Sequence, residues 1–125
     1  VVIDIVIPMT PPRALSPNAR IHWAPKAKAA AKFRSAARLA TFAAMSQAER
    51  SRVATATTIG YRIRVSWEPR RVGLRDEDNV LASCKAAIDG IADALGIDDR
   101  ILRIRGIDID RTSRLGVTVI TLEEV

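Results

Sequence analysis

Between Arg75 and Arg100 the chain reads RDEDNVLASCKAAIDGIADALGIDDR, and the residues able to do chemistry collect in this stretch. Seven of the fourteen acidic residues (Asp76, Glu77, Asp78, Asp89, Asp93, Asp98 and Asp99) fall inside it, while 20 Lys and Arg leave the whole chain at a net charge of +6. Carboxylate oxygens suit hard divalent cations such as Mg²⁺, and Lys and Arg hold phosphates. Negative charge concentrated inside a basic protein therefore has the makings of a divalent-metal site acting on a polyanion. Other metal chemistries lack their residues. One His and one Cys argue against zinc, and an EF-hand loop fails because Val80 stands where a third ligand belongs and no Gly follows at the turn.

A helix must carry this stretch. Asp78 or Asn79 can cap a helix starting at Val80, from which Val80, Cys84, Ile88, Ile91 and Leu95 recur at helical period. Lys85 and Asp89 fall on one shoulder of that apolar stripe. Gly96 stops the helix, and Ile97-Asp98-Asp99 connects to the next apolar run. Plainer readings exist: acids favour helix N-termini, and Asp98-Asp99 also fits a solvated turn. Spacing alone leaves open whether Asp99 returns beside Asp76 and Asp78.

The rest of the chain supplies a frame and basic surfaces. Val1 to Ile7 alternates as a first strand. Pro8, Pro11, Pro12 and Pro17 impose an extended loop through about Trp23. That loop carries Arg13, Asn18, Arg20, His22 and Trp23, a mix fit for phosphate contact and base stacking, although Trp23 equally fits a cover over the core edge. Pro25 suits the first turn of a helix running to about Ser46, with a small-residue stripe (Ala29, Ala30, Phe33, Ala36, Ala37, Ala40, Ala44) flanked by Lys26, Lys28, Lys32, Arg34 and Arg38. Five cations between 26 and 38 with no acid among them favour a phosphate-facing surface over a merely solvated one. A polar link over Gln47–Ala54 leads to a second strand in which Ile59, Tyr61, Ile63, Val65 and Trp67 alternate with polar residues. Pro69 ends it, and Arg70, Arg71 and Arg75 lead into the acidic stretch. Beyond Asp99, Leu102 and Ile104 share one parity and Ile107 and Ile109 the other, so a bulge is expected at Gly106. A turn around Thr112 to Gly116 should then make an antiparallel hairpin with Val117–Leu122.

These elements predict one domain over residues 1–125, an α/β (α+β) two-layer sandwich with a mixed sheet of about four strands and two main helices on one face, in the order β-α-β-α-β-β. A pI near 10.4 points to an acidic polymer as partner. Cys84, alone and in an apolar stripe, reads as a buried small residue and fits a reducing cytoplasm. Neither a signal peptide nor an apolar run of membrane-spanning length is evident.

Taken together, Asp76-Glu77-Asp78-Asn79, the helical Lys85-x-x-x-Asp89 and the terminal Asp98-Asp99 resemble the RusA family of Holliday junction endonucleases. Pro11-Pro12, Asn18 and Arg20 are similar to that family's amino-terminal pattern. Lys85 stands about three residues, nearly one helical turn, further from Asn79 than in the family pattern. The resemblance implies a homodimeric nuclease that cuts branched DNA with Mg²⁺ (or Mn²⁺). It also implies Asp76, Asp78 and Asp99 as catalytic, metal-binding carboxylates, with Lys85 contacting phosphate or water. Arg20, Lys26, Lys28, Lys32, Arg34, Arg70, Arg71 and Arg75 are the expected DNA contacts. Two other functions fit the same residues: a non-enzymatic nucleic-acid-binding module whose acidic loop only caps a helix, and a nuclease for flaps or other branched DNA.

Overall fold

The computed structural model describes residues 2–16, 23–66, 77–110 and 115–124, and for 77, 78 and 124 the backbone alone. The strands are β1 (Val2–Ile7), β2 (Ile59–Ser66), β3 (Leu102–Asp110) and β4 (Thr118–Glu124). The helices are α1 (Trp23–Ala44), α2 (Gln47–Val53), α3 (Glu77–Ser83) and α4 (Lys85–Leu95), with single 3₁₀ turns at Arg13–Leu15 and Asp99–Ile101. The sheet runs β1-β4-β2-β3, and α1 lies along α4 and beside β1. This is the two-layer α/β sandwich expected from the alternating patterns. Ile3, Ile5 and Ile7 of β1, Ile59, Tyr61, Ile63 and Val65 of β2, and Ile120 and Leu122 of β4 are all buried. So are Phe33 and Ala37 of α1 and the full stripe of Val80, Cys84, Ile88, Ile91 and Leu95. Burial of these side chains is the main driving force for the fold.

The expected hairpin does not form. β3 pairs in parallel with β2, while β4 runs antiparallel between β1 and β2. The physical reason lies in the two sequences. The β4 stretch buries Thr118, Ile120 and Leu122 and can occupy a central position. The β3 stretch, LRIRGIDID, buries only Leu102, and its charged side chains are tolerated at an edge. A helical connection between β2 and β3 also favours the parallel crossover over a hairpin. The bulge falls next to the expected position: Tyr61 faces Ile104 and Arg62 faces Gly106, so Arg105 is the extra residue.

Two helical expectations change as well. The polar link after α1 is a helix, α2, closed at its start by a reciprocal capping box: Glu49 N–H donates to Ser46 Oγ (3.2 Å) and Ser46 N–H to Glu49 Oε1 (3.0 Å). The helix expected from Val80 to Leu95 is two helices. α3 starts at Glu77, so Asp78 and Asn79 lie inside its first turn and do not cap it. Cys84 then interrupts the run, and α4 opens at Lys85. Gly96 ends α4 as expected, at φ 67°. Ile97 N–H donates to the Ala92 carbonyl and Gly96 N–H to that of Asp93, the paired bonds of a Schellman cap.

Where α1 crosses α4 the backbones nearly touch. A Cβ on Gly90 would collide with the Arg34 carbonyl oxygen and lie 3.1 Å from the Ala37 Cβ. Beside this contact Arg34 grips Asp93 with two bonds, Nε to Oδ2 at 2.6 Å and Nη2 to Oδ1 at 2.8 Å. Gly→Ala inside a helix normally adds about 1 kcal/mol through propensity. Here overpacking against a backbone oxygen costs about 1–3 kcal/mol or more, which outweighs that gain, so Gly90→Ala should lower the thermal midpoint by a few degrees. A thermal melt showing equal or higher stability would mean that the helices are not in contact at Gly90.

Candidate functional site

Lys85 follows the single turn residue Cys84, through which the bonds from Cys84 N–H to the Val80 carbonyl and from Ile88 N–H to the Cys84 carbonyl continue. As the first residue of α4, Lys85 directs its ammonium to two carboxylates, donating to Asp89 Oδ1 at 2.9 Å and to Asp99 Oδ2. Asp99 opens the 3₁₀ turn that leads into β3, so residues fourteen positions apart in sequence meet beside α4 at the level of Asp89. Both carboxylates hold the ammonium in its charged form, and its pKa is raised chiefly by the Asp99 bond and next by that to Asp89. Beneath them Tyr61 of β2 is almost fully buried, and burial pushes its phenol pKa up.

The two acids of the Asp98-Asp99 pair have separate tasks. Asp98 caps the 3₁₀ turn by accepting from the Arg100 N–H at 2.9 Å, and it also accepts from the Arg100 guanidinium at 2.8 and 3.1 Å. Those bonds hold its carboxyl well below the usual carboxylate range, the guanidinium being the larger cause. Asp98 is therefore committed to shaping the turn, which leaves Asp99 to face Lys85. Along α4, Lys85, Asp89 and Asp93 follow at intervals of four residues and so line one face. Arg34 of α1 completes the row, its pKa raised by its bond to Asp93.

Of the expected site residues, Lys85 and Asp99 are brought together. Asp78 contributes its backbone to α3, and Asp76, Arg20, Arg70, Arg71 and Arg75 lie outside the described residues, as do Asn18 and His22. Among the described residues no three His, Cys, Asp or Glu side chains group as a metal site. Asp89 and Asp99, however, converge on one cation, the Lys85 ammonium, and their hard oxygen donors suit Mg²⁺ or Mn²⁺. Cys84 is no nucleophile: burial pushes its thiol up to about 12.

The basic helix is less uniform than its sequence. Lys28 and Lys32 are exposed and Lys26 is half-buried. Arg34 is held by Asp93, and Arg38 stacks over Phe42 at 5.1 Å, with Arg50 over the same ring at 4.7 Å. Trp23 is exposed at the start of α1 and does not cover the core. Asp89 and Tyr61 are the site residues that sequence reasoning did not assign. The i,i+4 spacing to Lys85 signals Asp89, whereas Tyr61 reads only as a core position of a strand. Among the described residues no helix is long and apolar enough to cross a membrane.

No protein-family model matches the chain. It is similar to a protein of Xylella fastidiosa (strain Temecula1 / ATCC 700964) that bears the description "uncharacterized protein", with 37% identity over 116 residues. The match spans 90% of this chain and 71% of the Xylella protein. The chain belongs to the same family as that Xylella protein.

Proposed function

We propose that this protein is a metal-dependent, structure-specific endonuclease of the RusA type that resolves four-way DNA junctions by paired nicks. The observation that supports this reading best is the meeting of Lys85 with Asp99 across the break at Cys84. The extra residues between Asn79 and Lys85 are taken up by α3 and the turn at Cys84, so the Lys85-x-x-x-Asp89 unit starts its own helix beside the terminal Asp pair. Asp99, with Asp76 and Asp78, would hold Mg²⁺ or Mn²⁺, which when bound supplies Lewis acidity toward the phosphodiester and activates water.

The chain's own residues would do the remainder. Asp89 and Asp99 each accept one hydrogen of the Lys85 ammonium, so that its third can be offered to the charge developing on the phosphodiester oxygens. Lys28 and Lys32 would bind backbone phosphates from the exposed face of α1. A homodimer would present two such sites to a junction of near two-fold symmetry.

Asp78→Asn and Asp99→Asn should each abolish Mg²⁺-dependent cleavage of a four-way junction while preserving junction binding, measured by gel shift. Wild-type cleavage that persists in a chelator would leave a non-metal nuclease or a contaminant as the explanation. Junction binding with no cleavage in either Mg²⁺ or Mn²⁺ would favour the binding-module alternative.

Lys85→Ala should slow single-turnover cleavage by about a hundredfold or more, with a much smaller change in affinity. If Lys85 served only as a surface ion-pair partner, its loss would cost stability by at most about 1 kcal/mol and leave the cleavage step near wild-type speed.

Replacing Lys28 and Lys32 together should weaken binding to all DNA forms and reduce the slope of log affinity against log salt by about one to two. A titration with an unchanged slope would place the DNA on another face.

A further inference from the structure

Near its end α1 presents a surface that neither the sheet nor the Lys85–Asp99 cluster uses. At about 100° per residue, Arg38, Leu39 and Phe42 fall within one arc of the helix, and all three are exposed. Leu39 keeps 61% of its surface in water and Phe42 37%. Arg50 of α2 turns back over the same ring, so two guanidinium carbons lie 4.7 and 5.1 Å from the Phe42 centroid. They can be no further apart than those two distances together.

Tying α2 to α1 through the ring would account for the Arg50 contact. It does not account for two cations without acids, or for a bare leucine beside them. Among the described residues no carboxylate lies within ion-pair distance of Arg38 or Arg50. Arg50 donates Nη1 to the Met45 carbonyl at 2.7 Å, which steadies the guanidinium and leaves its other donors open. The acids of the neighbouring elements are engaged elsewhere. Asp93, which feels the Arg38 charge, gives both oxygens to Arg34, and Glu49 closes the capping box at Ser46.

We propose that this face of α1 and α2 docks an acidic segment of a partner protein, seating a leucine or phenylalanine on Leu39 and Phe42 and its flanking carboxylates on Arg38 and Arg50. Charge complementarity fixes the occupant. A guanidinium stacked on a ring keeps its N–H edge free, and that planar fork takes a carboxylate by two parallel bonds. Side chains two residues apart on an extended segment are spaced by about 7 Å, a span that two guanidiniums sharing one ring can match. A nucleic-acid backbone would use the cations and gain nothing from Leu39. Lys28 and Lys32 offer it charge without an apolar neighbour, two or more turns earlier on the same helix. The docking surface lies beyond the nuclease reading and does not rest on it.

Fluorescence anisotropy with the full chain and a labelled peptide, Ser-Asp-Asp-Leu-Phe-Asp-Asp-Ser, tests the surface without a junction. The wild type should bind it with a dissociation constant on the order of 0.1 mM. Serines in place of the peptide's Leu-Phe pair, or Leu39→Ser in the protein, should each weaken binding about tenfold. Arg38→Glu should weaken it about tenfold or more, and Arg38→Lys, which keeps the charge without the fork, should recover only part of the loss. Leu39→Ser should keep the wild-type melting temperature and the wild-type affinity for a four-way junction, because the side chain it shortens is in water. Four outcomes would overturn the proposal: no binding up to about 1 mM peptide, equal binding of the serine peptide, Leu39→Ser binding the peptide as wild type does, or Arg38→Glu doing so. A loss of single-stranded DNA or phosphatidylglycerol-vesicle binding by Leu39→Ser as large as its loss of peptide would overturn it too, and assign the face to that ligand. Failure of the chain to cut junctions would count against the nuclease reading and leave the docking surface standing.

Discussion

The close approach of α1 and α4 at Gly90 is the contact on which the rest of the molecule depends. With no side chain at that position, the α4 backbone can lie against the Arg34 carbonyl, and only at that distance does the Arg34 guanidinium reach both oxygens of Asp93. The ion pair is exposed and adds little energy by itself. Its value is geometric, because it fixes the rotation of α4 about its own axis. Once Asp93 is turned toward α1, helical periodicity turns Asp89 and Lys85 along the same row, and the apolar stripe from Ile88 to Leu95 is turned onto the sheet. Rotation of α4 by half a turn would expose that stripe and scatter the charged row, so packing and site geometry are set together.

The second constraint is the break at Cys84. A continuous helix from Glu77 to Leu95 would carry its acidic start and Lys85 on a single axis, separated by whole turns. Ending α3 at Ser83 and starting α4 at Lys85 places the lysine at a helix start, where its side chain can swing to the turn entering β3. Cys84 itself is buried; its N–H donates to the Val80 carbonyl and its own carbonyl accepts from the Ile88 N–H, which keeps α3 and α4 hydrogen-bonded across it. Asp98 fixes the other side of the encounter by locking Arg100 and the 3₁₀ turn, which leaves Asp99 oriented toward the ammonium.

How far this was legible in the sequence follows from the range of each interaction. Local, periodic signals were readable: the alternation of β1 and β2, the stripe from Val80 to Leu95, the Gly96 stop, and the bulge near Gly106 betrayed by a change of parity. The Ser46-x-x-Glu49 capping box was equally local and present in the letters, yet the polar composition around it read as a link. Strand order was not legible, since pairing β3 with β2 depends on which strand buries its helix-side residues more fully, Thr118, Ile120 and Leu122 of β4 or the partly covered isoleucines of β3. The break at Cys84 was hidden because the apolar stripe runs through it at unbroken helical spacing. For the same reason Asp99 could be nominated by its resemblance to a known pattern, but its encounter with Lys85 required the three-dimensional turn.

The edge position of β3 links these threads. The charged side chains of RIRGIDID share the open face with Arg62 and Arg64 of the internal strand β2, so charge alone does not set its place; its helix-side residues do, with Ile104 exposed and Ile107 and Ile109 only half-buried. β4 takes the place between β1 and β2, where Thr118, Ile120 and Leu122 are buried. Edge strands commonly carry charged side chains, a proline or a β-bulge that discourages further pairing. This one carries both signs, sorted by halves, with a bulge that brings each half onto a common face. Charge of both signs keeps the face of β3 turned away from the helices wet, as Arg62 and Arg64 do for the same face of β2.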